Sequence, residues 1–130
     1  MTVVLLRHAS AGRRSDWRGE DRLRPLDARG RAQAEALREV LLAHGVQRVL
    51  SSPYVRCTQT VAPLGLDIEP DERLSEGAPL ASTLALLEEL EHAVACTHGD
   101  VVENVLGRSL KKGAAAVLDG LHIVALVAAP

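Results

Sequence analysis

Two imidazoles and two guanidiniums in this sequence stand where they could share one anion. Arg7 and His8 directly follow the apolar run Val3-Val4-Leu5-Leu6. Such a run reads as a buried parallel strand, and open α/β sheets hold their ligands at the carboxyl edge where strands end. Ser51 and Ser52 follow a second apolar run, and Arg56 lies in the first turn of the helix expected after them. His98, with Gly99 behind it, follows a further run that ends at Thr97. Guanidinium forks match phosphate oxygens and helix N-termini favour negative charge, so the set suits a phosphate. An imidazole held against a phosphoryl group can also attack it, while the protein positions that group and neutralises its charge. Each residue alone has a plainer reading: a polar strand terminator, a solvated surface charge, a simple turn. Zinc held by His8 and His98 lacks a third ligand at recognisable spacing, so neither a metal nor another cofactor is expected.

Positioning these groups takes an alternation of strand and helix. Residues 2–7 read as the first strand, and the charged, non-periodic residues 9–26 as a long loop. Asp27 caps a helix that runs to about His44 and closes at Gly45, with Ala32, Ala36, Leu37, Val40 and Leu41 on one face. Val46 to Leu50 is the second strand; Ser52 as N-cap and Pro53 at the first helical position open a helix to about Val61. Residues 65–69 read as a short edge strand and 71–81 as loop. Ser82 or Thr83 caps a third helix to about Leu90, Ala93 to Thr97 is a buried strand, and Asp100 caps a fourth helix to about Leu106. Two last strands, near 114–118 and 121–127, pair across Asp119-Gly120. The apolar run Leu121 to Val127 is expected to be covered core rather than a dimer seam. The pattern predicts an α/β three-layer sandwich, a mostly parallel central sheet covered by helices on both faces, in one domain over 1–130.

A chain of 130 residues can bury a proper core. Its net charge of −2 lacks the basic excess of a nucleic-acid binder. With no Phe, and Trp17 and Tyr54 its only aromatics, it offers no platform for stacked bases. No segment reaches transmembrane length, and the first apolar stretch is too short for a secretory leader. Cys57 and Cys96 have no metal-ligand spacing and read as reduced thiols, which suits a cytoplasmic protein. A monomer is favoured over an oligomer.

The chain resembles the histidine phosphatase superfamily, also called phosphoglycerate-mutase-like. The resemblance rests on Leu5-Leu6-Arg7-His8-Ala9, the stretch from Arg24 to Ala34, Ser51-Ser52-Pro53-Tyr54-Val55-Arg56-Cys57-Thr58-Gln59-Thr60, Leu74-Ser75-Glu76 and Thr97-His98-Gly99-Asp100, in that order. It implies His8 as the phosphorylated nucleophile, Arg7, Arg56 and His98 as the phosphate pocket, and Glu76 as proton donor to the leaving group. The family's usual Arg-His-Gly is Arg-His-Ala here, as in the compact branch similar to the phosphohistidine phosphatase SixA. The short chain lacks the helical insertion that closes the mutase pocket, so an open site and no mutase activity are expected. The segment from Ser10 to Asp27 also resembles the phosphatase domain joined to a Nudix domain in actinobacterial oxidised-nucleotide hydrolases.

The expected substrate is a phosphorylated small molecule or a phosphohistidine protein. A nucleotide or polyphosphate phosphatase using the same site, and a low-turnover phosphate-binding regulatory module, are the alternatives. His8 is expected to be neutral, with its second nitrogen bonded to a backbone carbonyl, and His98 to be a protonated donor beside the phosphate. Ser10, Arg13 and Arg14 are candidate substrate contacts. Two readings stand for the charged loop after His8: a cationic lid over the substrate, or a solvated loop laced with weak ion pairs. Two also stand for Glu76, the proton donor or an exposed loop carboxylate.

Overall fold

The computed structural model describes residues 2–130. It contains strands β1 (Val3–Arg7), β2 (Arg48–Ser51), β3 (Ile68–Pro70), β4 (Ala93–Thr97), β5 (Ala115–Asp119) and β6 (His122–Val127). The helices are α1 (Ala28–Ala43), α2 (Val55–Val61), α3 (Leu80–Glu88) and α4 (Gly99–Leu106). One sheet runs in the order β3-β2-β4-β1-β5-β6. Neighbours among the first four strands in that order are parallel, whereas β5 is antiparallel to β1 and β6 to β5.

The period of two along each strand divides the core between the faces of this sheet. Leu5, Leu50, Ala93, Ala95 and Ala116 pack with Leu86, Leu87 and Val102 of α3 and α4. Val4, Leu6, Val49, Val94 and Cys96 pack with Leu37 and Leu41 of α1 and Cys57 and Val61 of α2. The three-layer reading therefore holds. Small residues in the central strands face leucines from the helices, which keeps the interior filled without a single Phe.

Helix α1 begins where its cap predicts, with the Gly30 N–H donating to Asp27 Oδ1 at 2.7 Å. The other caps differ because tertiary partners claim their hydroxyls and carboxylates. Ser52 Oγ lies 2.8 Å from His98 Nε2, and α2 starts only at Val55. Thr83 donates to the Arg73 carbonyl from within α3, which starts at Leu80 behind Pro79. Helix α4 is capped at His98, not Asp100, whose carboxylate instead accepts the Gly77 N–H at 2.8 Å. The edge strand β3 is shorter than the sequence suggests and begins after Gly65, whose φ of 71° closes a 3-10 turn.

Strand β6 corrects an expectation. Leu121, Ile123, Val124 and Leu126 around it are all exposed, with Val124 at 57 %. It is the outer strand, and the core clusters reach no further across the sheet than β5 and the last residue of β6, Val127. The hairpin turn itself lies at Gly120-Leu121, one residue later than the sequence suggests, with Gly120 at φ 63°. No helix among the described residues is long and apolar enough to cross a membrane.

Candidate active site

The carboxyl ends of β1 and β4 lie side by side because the two strands pair in register, Arg7 opposite Thr97. His8 continues that pairing, its N–H donating to the Thr97 carbonyl at 3.0 Å. From the other side the Gly113 N–H is shared between the carbonyls of Arg7 (3.1 Å) and His8 (3.0 Å). Helix α2 is tied to the same point through Thr60, whose hydroxyl accepts the Ala9 N–H and donates to the Arg56 carbonyl. Backbone therefore fixes the place of His8, and Thr60 fixes the helix that carries Arg56.

The His8 side chain is held as the sequence suggests. Its Nδ1 lies 2.8 Å from the Ala9 carbonyl, an acceptor only, so Nδ1 carries the proton and Nε2 keeps a free lone pair. Burial pushes the His8 pKa down to about 3; the carbonyl bond opposes this, and the nearby His98, Arg56 and Arg7 add to it. His8 is thus neutral, with an unshared lone pair on Nε2, at physiological pH.

Around it the other three residues converge. The His98 ring meets His8 edge-on, with centroids 5.5 Å apart, and meets Tyr54 at 4.6 Å. His98 Nε2 is engaged by Ser52 Oγ, which also accepts the Tyr54 N–H at 3.2 Å. Arg7 donates from Nη1 to the Leu110 carbonyl at 2.7 Å, and its guanidinium packs on Gly99, where a Cβ would come within 2.8 Å of the arginine Cζ. Glycine at this position lets α4 start against the guanidinium. Arg56 is 1 % exposed, stacks 4.9 Å from the Tyr54 ring centre, and gives both terminal nitrogens to Asp21.

These anchors leave a pattern. Among the described residues, the buried side-chain polar atoms without a partner are Arg7 Nε, Arg56 Nε and His98 Nδ1. Buried donors are almost always satisfied, and here each orphan belongs to a residue of the same constellation. The four residues line one cavity of about 690 Å³.

The remaining predicted site residues divide. Arg13, Arg14 and Glu76 line that cavity, and Arg14 Nη2 lies 2.7 Å from Glu76 Oε1. Ser10 is not among its lining residues; its hydroxyl donates to Asp27 Oδ2 and its N–H to Gln33, so it braces the start of α1. Cys57 and Cys96 are free and buried, with Cys57 Sγ 3.5 Å from His98 Nε2.

Two residues of the site escape the sequence reading. Asp21 accepts from Arg56 (2.9 Å) and Arg24 (3.1 Å) and lies 3.4 Å from Arg14. Burial, the largest single influence, would raise its pKa, but the hydrogen bonds from Arg24 and Arg56 and the arginine charges outweigh it and hold Asp21 below the ordinary aspartate value. Nothing in the sequence separates it from the other acids of that loop. Lys112 also lines the cavity, and its signal was only a basic pair before a glycine.

Comparison with known proteins identifies a family and a fold. A model of the histidine phosphatase superfamily (branch 1) matches residues 3–80. An 8-oxo-(d)GTP phosphatase of Mycolicibacterium smegmatis is 40% identical over 116 residues, which cover 81% of this chain. The chain spans only 36% of that longer protein. Among solved structures, the protein histidine phosphatase SixA complexed with tungstate superposes with a TM-score of 0.80 at 22% identity, covering 98% of this chain and 97% of SixA. Mycobacterial hydrolase 1 does so with a TM-score of 0.79 at 18% identity, covering 99% of each chain.

Proposed function

This chain belongs to the histidine phosphatase superfamily, and we propose that its 1–130 unit is a phosphatase that hydrolyses a phosphomonoester or a phosphohistidine through a phosphoenzyme formed on His8. The observation that carries this reading is the trio of orphaned donors beside a bare imidazole nitrogen. A phosphoryl group has three non-bridging oxygens, and Arg7 Nε, Arg56 Nε and His98 Nδ1 supply one donor for each. SixA, of the same fold, is complexed with tungstate, an oxyanion of similar shape.

In the first step His8 Nε2 attacks phosphorus and the bond to the leaving oxygen or nitrogen breaks on the opposite side. The leaving atom takes a proton from Glu76 on the cavity wall, which acts in its protonated form, released from Arg14. The guanidiniums hold the phosphoryl charge in place through the loose transition state. Water then attacks phosphorus, the P–N bond to His8 breaks, the water proton returns to Glu76, and orthophosphate leaves. The sum is one water consumed per ester cleaved, with His8 and Glu76 restored.

The second hydrogen-bond shell keeps His98 a donor without requiring it to be charged. Ser52 Oγ already accepts from Tyr54, so its own proton is free to point at His98 Nε2. In that arrangement a neutral ring carries its proton on Nδ1, the atom left without a partner, where it is available to the phosphoryl group. A nucleotide phosphatase is the second reading, favoured by the name of the mycobacterial relative.

Acid-quenched trapping with labelled substrate tests the scheme. Wild type yields an acid-labile phosphoprotein, and His8→Ala yields none and loses at least about 10³-fold in kcat. Full turnover by His8→Ala would end the proposal.

A further inference from the structure

Lys112 is a cation of the cavity wall that the phosphoryl site leaves without a task. It lies between α4 and β5, where the chain is pinned against the end of β1. Its neighbour Gly113 donates to the carbonyls of both Arg7 and His8. Gly113 holds φ 84°, and a Cβ there would come within 3.3 Å of the Gln33 amide. The Lys112 carbonyl accepts from Gln33 Nε2 at 3.4 Å. The Lys112 backbone therefore has little freedom relative to His8.

The charge at this place is costly as it stands. Of the other cations on the wall, Arg14, Arg24 and Arg56 each lie against a carboxylate, and Arg13, like Lys112, has no such pair among the described residues but is exposed. Lys112 makes no such pair among the described residues, although it is half-buried beside the cavity. Burial, then the charges of Arg7 and Arg24, push its ammonium below the ordinary lysine pKa, with Asp27 only partly offsetting them. Two of the carboxylates on the wall are engaged elsewhere, Glu76 with Arg14 and Asp100 with the Gly77 N–H. The three orphaned donors already match the oxygens of one phosphoryl group, and the cavity of about 690 Å³ is of the size that holds a whole small-molecule ligand.

We propose that Lys112 binds a second anionic group of the substrate, so that this site prefers a diphosphate to a lone monophosphate. The inference rests on the His8 site as read above: the terminal phosphoryl occupies the orphaned donors, and the inner phosphate, part of the leaving group, lies against the Lys112 ammonium. Departure of a phosphate leaving group builds negative charge on the inner phosphate, where a fixed cation stabilises it.

The test compares orthophosphate with inorganic pyrophosphate as ligands for wild type, Lys112→Met and Lys112→Arg, by calorimetry at fixed ionic strength. Wild type binds pyrophosphate the more tightly. Lys112→Met loses about tenfold in pyrophosphate affinity and less than about twofold for orthophosphate, and Lys112→Arg restores most of the loss. Equal losses for the two anions would assign Lys112 to the transferred phosphoryl and overturn the proposal, as would no loss for either. In turnover, Lys112→Met loses more kcat/KM on a nucleoside diphosphate than on an aryl monophosphate; losses of equal size overturn the proposal. Absence of a wild-type phosphoenzyme, with the pyrophosphate preference intact and lost in Lys112→Met, sinks the His8 mechanism and leaves the Lys112 subsite standing.

Discussion

The floor and the rim of the cavity are built by different physics. On the floor, His8 is 5 %, Arg56 1 % and His98 2 % exposed. Backbone carbonyls, Thr60, Ser52 and Asp21 hold the floor, and Arg7 Nε, Arg56 Nε and His98 Nδ1 remain without a partner. On the rim, the Arg14 side chain is 62% exposed and that of Glu76 35%, and each holds the other. A pair so open to water is screened and worth little by itself. The difference teaches where chemistry and selectivity reside. A preset, desolvated floor stabilises a transition state without reorganising, whereas a rim of exchangeable ion pairs can trade an internal carboxylate for a substrate anion at small cost.

Glu76 offers the sharpest way to break that comparison, because it is a rim residue with a proposed part in the chemistry. If it protonates the leaving group, Glu76→Gln slows ester hydrolysis by about 10²-fold. A phosphohistidine substrate, whose leaving nitrogen can already carry a proton, slows much less. Steady-state rates on an aryl ester with a poor leaving group and on a phosphohistidine peptide measure the two effects. Equal slowing of both would return Glu76 to the role of an exposed partner for Arg14 and keep the rim free of chemistry.

The floor has its own signature in stability. Folded His8 takes up no proton until the pH approaches about 3, whereas in the unfolded chain it does so below about 6.5. Between these values the unfolded state holds the extra proton, so the contribution of a neutral His8 is fully present above 6.5 and is lost as the pH falls. The loss approaches about 1.4 kcal/mol per pH unit. Urea unfolding of wild type at pH 7 and pH 5 shows it as a drop in midpoint, and His8→Ala shows a smaller drop over the same interval. Parallel pH dependence in the two proteins would mean that His8 is not held neutral by the floor.

The floor was legible in the sequence and most of the rim was not. An apolar run that stops at Arg7-His8, and another that stops before His98, announce a strand end whatever the rest of the fold does. Arg56 follows from the turn after Ser51-Ser52, although the helix begins three residues beyond Ser52, because the serine hydroxyl serves His98 rather than the helix. Such long-range capture of a capping group leaves no local mark. Asp21 and Lys112 share this opacity, since one charge in a non-periodic loop looks like the next. Strand β6 shows the converse limit: Leu121 to Val127 has the composition of core, but composition does not say that it will be the outer strand.

Asp21 joins the two regions, and its removal measures how far the floor extends. Its carboxylate and its main-chain carbonyl together occupy both terminal nitrogens of Arg56, which leaves Nε without a partner, while the same carboxylate reaches Arg24 and Arg14 on the loop. Asp21→Asn keeps one side-chain acceptor and the main-chain carbonyl but removes the charge from a place where Arg56 is buried. If Asp21 belongs to the floor, kcat falls about tenfold with KM little changed, and added salt does not mimic the loss. If it belongs to the rim, the loss is under about threefold, appears in KM, and is reproduced in wild type by raising the salt. Steady-state kinetics of the two proteins across ionic strength separate the cases, and the second outcome would leave the Asp21 main-chain carbonyl, Thr60 and Tyr54 to hold Arg56.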